Sequence, residues 1–186
     1  MRIISGNLKG KSISFVKNSK TRPLKDSVRE NIFNILAHSN SFNKSLEEAN
    51  VIDLYSGVGS FGIECLSRGA QKVTFVEYDS IAVKILKDNL AKLSILEKSF
   101  VHNGTVEQIL EQNLTERFDI FFFDPPFLDK NFSRNLDFIK KKKIYKKEHI
   151  VIIHREKKSD DDLISKIQII KTKVYGRSKI IFGVFS

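Results

Sequence analysis

Between residues 51 and 154, short apolar runs alternate with longer segments in which apolar residues recur every three or four positions. Amphipathic helices are predicted after the first three runs, and no helix is predicted between the last two. Strands that alternate with helices predict a mostly parallel sheet that is covered on both faces. The predicted strands lie at 51–56, 72–77, 99–103, 117–124 and 149–154, and the helices at about 60–68, 80–93 and 106–114.

The two ends of the chain have different patterns. Residues 167–185 predict two strands that turn at Gly176, and therefore an antiparallel edge of the sheet. Residues 1–18 alternate in short stretches around two glycines, which suggests a hairpin. Residues 21–39 predict a helix with one apolar face.

Length and composition are typical of one globular domain. The chain has 186 residues, enough for a single full core. Cys65 is the only cysteine, so no internal disulfide can form, which fits a reducing compartment. No apolar run approaches the roughly 20 residues of a membrane helix, and residues 1–11 lack the apolar core of a secretion signal. A cytoplasmic, single-domain protein is expected.

The net charge of +10 is concentrated in two blocks. Residues 1–29 and residues 130–147 each contain eight Lys or Arg and one acidic residue, a net charge of +7 per block. The rest of the chain has a net charge of −4. Concentrated positive charge is typical of proteins that bind nucleic acid. A solvated lysine-rich surface is the alternative interpretation, above all for residues 140–147.

A glycine-rich turn follows the first strand of the alternating region. Gly57, Gly59 and Gly62 have the spacing G-x-G-x-x-G, and Glu77 ends the next strand, about 20 residues later. Glycines at such a turn let a ligand approach the backbone, and the acid can accept hydrogen bonds from ribose hydroxyls. This pattern suits a nicotinamide cofactor or S-adenosylmethionine equally well. A turn that is glycine-rich only for tight packing is the alternative.

Asp53 favours one of the two cofactors. It places a carboxylate in the strand just before the turn. A pyrophosphate would be repelled there, whereas the ammonium group of a methionine moiety would be attracted. The sequence therefore favours S-adenosylmethionine.

The segment Asp124-Pro125-Pro126-Phe127 ends the fourth strand. In such sheets this strand lies next to the first, so Asp124 is expected at the reactive end of the cofactor. An exocyclic amine on a base is a poor nucleophile, and a carboxylate with a proline-stiffened carbonyl can accept its N–H bonds. Phe127 offers a flat face on which an extruded base can stack. An ordinary Asp-Pro turn with Phe127 in the core is the alternative.

With these motifs the chain resembles the bacterial 16S ribosomal RNA (guanine(966)-N2)-methyltransferases along nearly its whole length. The similar segments are MRIISGNLKGK, TRPLKDSVRENIFNIL, VIDLYSGVGSFGIECLSRGA, FVEYD, DPPF and YGRSKIIFGVF. The resemblance implies an α/β, Rossmann-like class I methyltransferase fold with a mostly parallel seven-stranded sheet and an antiparallel edge strand. It also implies an RNA-contacting hairpin at 1–20, followed by the S-adenosylmethionine-dependent domain at 21–186.

The resemblance implies roles for individual residues. Catalysis would fall to Asp124, Pro125, Pro126 and Phe127. Cofactor contacts would come from Asp53, Tyr55, Ser56, Gly57, Gly59, Glu77, Tyr78, Asn103, Gly104 and Thr105. RNA contacts are expected at Arg2, Lys9, Lys11, Thr21, Arg22, Pro23, Arg29, Lys140 and Lys141. Many methyltransferases place an aspartate where Asn103 stands, so Asn103 would have to accept the adenine amine through its amide oxygen. For Arg22 and Arg29, surface ion pairs with Asp26 or Glu30 are the alternative.

The expected partner is 16S ribosomal RNA, within the small ribosomal subunit, and the protein is expected to act as a monomer. The four histidines, His38, His102, His149 and His154, match no metal-ligand spacing, so no metal is expected. Three other functions remain open. They are an adenine N6-methyltransferase on nucleic acid, a nicotinamide oxidoreductase, which Asp53 disfavours, and a non-catalytic RNA-binding assembly factor.

Overall fold

The computed structural model describes residues 1–16, 24–38, 46–112, 114–129 and 132–186. The helices are α1 (Asp26–His38), α2 (Ser60–Ser67), α3 (Ser80–Lys92), α4 (Val106–Glu111) and α5 (Phe132–Lys142), with a short 3-10 helix at Leu96–Lys98. The strands are β1 (Asn50–Leu54), β2 (Lys72–Glu77), β3 (Ser99–Asn103), β4 (Phe118–Phe123), β5 (Tyr145–Glu156), β6 (Gln168–Tyr175) and β7 (Ser178–Val184).

All seven strands form one sheet in the order β3-β2-β1-β4-β5-β7-β6. The first five strands in this order are parallel to one another. The strand β7 pairs antiparallel with both β5 and β6. The predicted Rossmann-like α/β fold, with its antiparallel strand pair at one edge, is therefore confirmed. Because β1 lies between β2 and β4, the carboxyl ends of these three strands meet at one edge of the sheet. We call it the carboxyl edge.

The sheet separates two apolar cores. Residues from α1, α2 and α3 pack against one face, around Phe61, Phe75 and Phe122. Residues from α4 and α5 pack against the other face, around Phe121 and Phe123. No helix among the described residues is long and apolar enough to cross a membrane.

The helix α5 differs from the sequence-based expectation. It occupies Phe132–Lys142, where no helix is predicted, and buries Phe132, Leu136 and Ile139. These residues recur at helical spacing, but the lysines after them suggest charged surface and hide the pattern. The strand β5 also begins four residues earlier than expected, at Tyr145.

The N-terminal segment 1–16 folds back on itself without forming a regular two-stranded ribbon. One isolated antiparallel bridge joins Arg2 and Ser12, and the Ile3 N–H donates to the Lys11 carbonyl at 3.0 Å. The buried Glu64 carboxylate of α2 accepts the N–H groups of Ile4 and Ser5 at 2.8 and 2.9 Å. The segment is thus held against α2 by backbone hydrogen bonds.

Candidate active site

Three carboxylates lie at the carboxyl edge, one from each of three adjacent strands. Asp53 is in β1, Glu77 ends β2, and Asp124 follows β4. Asp53 is 1% exposed, and burial raises its pKa well above the usual value. The negative charges of Asp124 and Glu77 raise this pKa further, while a hydrogen bond from the Gly62 N–H opposes the shift. The edge therefore gathers three acidic groups in a protein whose net charge is +10.

Two of these carboxylates also hold the glycine-rich turn in place. Glu77 Oε2 accepts the Gly57 N–H at 2.7 Å, and Glu77 Oε1 accepts the Asp79 N–H at 2.8 Å. Asp53 Oδ2 accepts the Gly62 N–H at 2.9 Å, in the first turn of α2. A side chain at position 62 is excluded, because its Cβ would lie 2.3 Å from the Phe75 ring. The turn is therefore fixed by both hydrogen bonds and packing.

A pocket of about 330 Å³ opens beside this turn. Five of the predicted cofactor residues line it: Tyr55, Glu77, Tyr78, Gly104 and Thr105. The other lining residues are Val76, Val106, Glu107, Pro126 and Asp129. The structure thus joins the predicted cofactor residues to Pro126 of the predicted catalytic segment. It also adds Val106, Glu107 and Asp129, which the motifs did not indicate.

Asn103 does not line this pocket. Its amide nitrogen donates to the carbonyl oxygens of Glu77 and Tyr78 at 3.1 and 3.2 Å, and its amide oxygen accepts from the Ser80 hydroxyl. The amide is therefore engaged with the connection between β2 and α3. The amide oxygen keeps one lone pair free, so its expected role as the adenine acceptor stays a prediction.

Ser56 offers an unpaired polar group next to the turn. Within the described residues its buried hydroxyl has no hydrogen-bond partner, although its backbone N–H and carbonyl are both bonded. A buried hydroxyl without a partner is costly unless a ligand satisfies it. Together with the carboxylates of the edge, it suits a ligand that has both a positive charge and polar groups.

Asp124 is partly exposed and bonded to the next strand. Its Oδ1 lies 2.7 Å from Nδ1 of His154 in β5, and its side chain is 26% exposed. The ring of Phe127 is 41% exposed and contacts the His154 ring edge-on, and Leu128 beside it is 94% exposed. Phe127 thus lies at the surface of the site, so the alternative of a core aromatic does not hold.

Arg155 holds the backbone that follows Asp124. Its side chain is 1% exposed, and it donates to the carbonyl oxygens of Pro126, Phe127 and Asp129 at 3.0, 3.2 and 3.0 Å. Its other bonds go to both oxygens of Asp161, at 2.9 and 3.0 Å, and its guanidinium stacks on the Phe132 ring. Burial would raise the pKa of Asp161, but hydrogen bonds from Arg155 and Ser159 lower it. No motif pointed to Arg155, because its partners are distant in sequence.

A second polar cluster closes the far wall of the pocket. Asn135 of α5 donates to the Tyr55 hydroxyl at 3.0 Å and to Glu107 Oε1 at 2.9 Å. Tyr55 has a left-handed backbone with φ 69°, which aims its ring at this wall. Burial and the nearby charges of Asp129 and Glu107 raise the pKa of its hydroxyl. The neutral phenol therefore persists across the physiological range.

The residues predicted to bind RNA are not gathered at the carboxyl edge. Lys140 and Lys141 are in the last turn of α5, beside the start of β4, where the Phe118 N–H donates to the Ile144 carbonyl. They therefore lie towards the amino end of β4, whereas Asp124 follows its carboxyl end. Arg2, Lys9 and Lys11 are exposed on the N-terminal segment. Thr21, Arg22 and Pro23 lie outside the described residues.

The expectation that Arg29 contacts RNA is wrong. Arg29 is fully buried, and it donates to the Arg2 carbonyl at 2.7 Å and to Asp26 at 3.1 Å. The expected ion pair with Asp26 is present, although Arg29 is not at the surface. Burial lowers the pKa of this guanidinium, while the charges of Asp26 and Glu64 raise it. Its role is to attach the N-terminal segment to α1.

The chain is similar to several known proteins. Residues 1–184 match the family described as conserved hypothetical protein 95. The ribosomal RNA small subunit methyltransferase D of Buchnera aphidicola subsp. Acyrthosiphon pisum is 32% identical over 156 residues, covering 84% of this chain and 78% of that protein. The Haemophilus influenzae protein of the same name is 33% identical over 129 residues, covering 68% of this chain and 64% of that protein.

A solved structure is similar over the whole chain. It is named "Putative methyltransferase yhhF from Escherichia coli", has 26% sequence identity, and superposes with a TM-score of 0.85. The match covers 100% of this chain and 98% of the other. The likeness therefore extends from the N-terminal segment to the antiparallel strand pair.

Proposed function

The chain belongs to the family described as conserved hypothetical protein 95, and from its similarity to ribosomal RNA small subunit methyltransferase D we propose that it methylates the N2 amine of a guanine in 16S ribosomal RNA, using S-adenosylmethionine. The observation that most strongly supports this proposal is the Asp124-Pro-Pro-Phe turn at an acidic carboxyl edge, beside a pocket lined by the predicted cofactor residues. Guanine 966 is the target that the family resemblance suggests.

The Rossmann-like fold of class I methyltransferases is consistent with S-adenosylmethionine as the methyl donor. Asp53, Ser56 and Gly57 would hold its methionine part, and Glu77 its ribose, through the lone pairs that its two backbone hydrogen bonds leave free. Gly59 shapes the turn, while Tyr78, Gly104 and Thr105 would surround the adenine. The acidic edge suits a ligand with a sulfonium and an ammonium charge, and it would repel a pyrophosphate.

The turn after β4 would orient the amine that is methylated. Asp124 Oδ2 and the Pro125 carbonyl can each accept one of its N–H bonds, and no described residue donates to that carbonyl. Proline at position 126 has no N–H that would oppose these acceptors. Phe127, 41% exposed, would stack on the extruded base. Together these groups would hold the nitrogen lone pair in line with the methyl group.

The transfer balances without a further reactant. When bound, S-adenosylmethionine would supply an electrophilic methyl group, and the electron pair of its carbon–sulfur bond would remain on sulfur. Asp124 and the Pro125 carbonyl would orient the nitrogen lone pair that forms the new bond. The nitrogen then has one proton too many, and Asp124 is the carboxylate within reach to accept it. A preorganised acceptor that meets the developing charge is the usual source of such acceleration.

RNA would reach the site across a basic surface. The predicted contacts Arg2, Lys9, Lys11, Lys140 and Lys141 remain candidates, as do Thr21, Arg22 and Pro23. Lys157, Lys158 and Arg177 are also exposed, and they lie at the carboxyl edge, because the Lys157 N–H donates to the Arg177 carbonyl next to Ser178. We propose residues 1–20 as an RNA-contacting segment of a cytoplasmic monomer that acts on the small ribosomal subunit.

The experiment that tests this function uses the purified protein, labelled S-adenosylmethionine and small ribosomal subunits from cells that lack the endogenous activity. The RNA is then digested and the labelled nucleoside is identified. N2-methylguanosine would support the proposal. Methyladenosine would replace guanine by adenine as the target while keeping the role of the turn. Cofactor binding without any label would indicate a non-catalytic RNA-binding factor.

A further inference from the structure

His154 in β5 uses both of its ring nitrogens in hydrogen bonds. Nδ1 lies 2.7 Å from Asp124 Oδ1, and Nε2 lies 2.9 Å from the hydroxyl oxygen of Ser178, the first residue of β7. The imidazole is 8% exposed, whereas Asp124 is 26% exposed. His154 therefore lies between the core of the sheet and the open site.

The two partners of His154 decide which nitrogen holds the proton. A carboxylate only accepts hydrogen bonds, so Nδ1 must donate to Asp124. In a neutral imidazole the lone pair is then on Nε2, which accepts a hydrogen bond from the Ser178 hydroxyl. The hydrogen bonds thus run from Ser178 to His154 and from His154 to Asp124.

This arrangement leaves only one oxygen of Asp124 facing the site. His154 occupies Oδ1 and so prevents rotation of the carboxylate about its terminal bond. Oδ2 remains available for the target amine. Because a displacement of about 1 Å can lower a rate on the order of 100-fold, the orientation of this one group matters for the transfer.

We propose that His154, itself held by Ser178, is a positioning residue that keeps the Asp124 carboxylate oriented to accept the proton of the target amine. This inference rests on the proposed function and names a residue that no motif indicated. The edge-on contact of the imidazole with Phe127, with ring centroids 5.6 Å apart, places the base-stacking ring against the same support.

The charged groups near the pair come from the strands that surround it and from the segments that follow β4 and β5. Asp124 follows β4, and Asp53 of β1 is close enough for Asp124 to raise its pKa. The next residue of β5, Arg155, is paired with Asp161 and packs on Phe132 in the other core. Ser178 contributes a neutral hydroxyl from β7, and the neighbouring Lys179 donates to the Ser159 carbonyl.

Three variants separate positioning from packing. His154→Asn keeps an N–H donor at the place of Nδ1. His154→Gln keeps the reach to Ser178 and loses the donor to Asp124, and His154→Leu keeps only bulk. We expect kcat to fall on the order of 10- to 100-fold in the Gln and Leu variants, with KM for S-adenosylmethionine and thermal stability nearly unchanged. The Asn variant should retain kcat, because its amide N–H can still donate to Asp124 Oδ1.

Several outcomes would overturn the inference. It is wrong if the Gln variant matches the wild type in kcat, or if the Asn variant is as slow as the Leu variant. It is also wrong if the losses follow thermal stability, because His154 would then be only a packing residue. If the wild type itself gives no label on any RNA, the proposed function fails, which is a different result from equal rates in all variants.

A second measurement does not depend on RNA. Nitrogen NMR of the imidazoles reports which ring nitrogen is protonated, and the His154 signal is identified by its absence in the Asn variant. We expect the Nδ1–H tautomer, with its signal displaced in Asp124→Asn and in Ser178→Ala. An Nε2–H tautomer, or a signal that is indifferent to Asp124, would overturn the inference even if the enzyme is active.

Discussion

Arg155 Nη1 donates to the Pro126 carbonyl oxygen at 3.0 Å, which joins β5 to the turn that follows β4. Two further carbonyl oxygens, those of Phe127 and Asp129, accept from the same guanidinium. These three bonds hold the outer part of the turn, while the Pro125 carbonyl stays available for a substrate. A turn held in this way keeps its geometry without a bound ligand.

Replacing Arg155 by Met should therefore lower both stability and activity. The change leaves the buried Asp161 carboxylate and three carbonyl oxygens without their donor, and loss of one partner of a buried pair costs about 3–5 kcal/mol. Lys would restore the charge but not the fork of donors, so Arg155→Lys should rescue stability only in part. Denaturant unfolding and the methylation rate provide the measurements.

The matched control for Arg155 is Arg177→Met. Arg177 also pairs with a carboxylate, that of Glu156, but its side chain is 82% exposed. Exposed pairs contribute about 0–1 kcal/mol, so this variant should unfold almost like the wild type. Equal losses of unfolding free energy in the two variants would show that the buried contacts of Arg155 do not stabilise the protein.

Replacing Asp124 by Ala should abolish methylation and leave the affinity for S-adenosylmethionine nearly unchanged. Asp124 faces the place of the target amine and does not line the pocket beside the glycine-rich turn. Calorimetric titration with the cofactor and the labelled-nucleoside assay measure the two effects separately. Asp88→Ala, at an exposed position on α3, is the control. A large loss of cofactor affinity in Asp124→Ala would contradict the role assigned to this carboxylate.

Replacing Glu77 by Gln should weaken cofactor binding. Glu77 accepts from the Gly57 and Asp79 N–H groups and lines the pocket. Hydrogen bonds to a charged group are worth about 1.5–3 kcal/mol, so Kd should rise roughly 10-fold or more. Glu97→Gln, in the exposed 3-10 helix, keeps the same charge change away from the site. An unchanged Kd in Glu77→Gln would leave this residue with only a structural role in the turn.

The buried Asp53 predicts a pH-dependent stability of the cofactor-free protein. Burial raises its pKa in the folded state above the unfolded value, so the folded protein binds the proton more tightly. The resulting stability is fully present below the unfolded pKa and is lost as the pH rises towards the folded pKa. Asp53→Asn, which has no charge to bury, should therefore be more stable than the wild type at pH 7.

The advantage of Asp53→Asn should disappear in acid, where the wild-type carboxyl is protonated. Thermal unfolding across this pH range measures the difference. The same variant should bind S-adenosylmethionine more weakly, because an amide does not attract the ammonium group. A stability difference that stays constant with pH would mean that the Asp53 pKa is not raised.

Basic residues on different parts of the molecule predict different salt dependence of RNA binding. Each lysine that contacts a phosphate contributes about 0.7–0.9 to the slope of log K against log salt. The double variants Lys157→Gln/Lys158→Gln and Lys140→Gln/Lys141→Gln remove equal charge near and far from Asp124. We expect both to flatten the slope, measured by filter binding at several salt concentrations.

Lys84→Gln/Lys87→Gln, on the exposed face of α3, provides the control with the same loss of charge. It should bind with the wild-type slope. If the variant at 140 and 141 also keeps that slope, these lysines are solvated surface. If all three variants flatten it equally, the effect is one of net charge.

The sequence by itself determined the succession of strands along the chain, the glycine-rich turn and the Asp-Pro-Pro-Phe turn. These features depend on local patterns: the period of apolar residues, and the places where glycine and proline interrupt it. The carboxylates Asp53, Glu77 and Asp124 could be assigned to one edge because the ends of neighbouring parallel strands must meet. The spacing of the apolar residues could also have predicted the helix α5, but the lysines of its last turn indicated a charged surface instead.

Only the tertiary structure decided what supports these residues. His154 is 30 positions from its partner Asp124, and Arg155 is 29 positions from Pro126. The residues next to them in the sequence do not indicate either contact. Arg29 resembles a surface residue in sequence, yet it is buried because the N-terminal segment folds over it and offers a carbonyl oxygen. The amide of Asn103 is likewise bonded within the protein, because it donates to the Glu77 carbonyl oxygen at the end of β2. The partners of a polar side chain are set by contacts across the sheet, and no pattern along the chain specifies them.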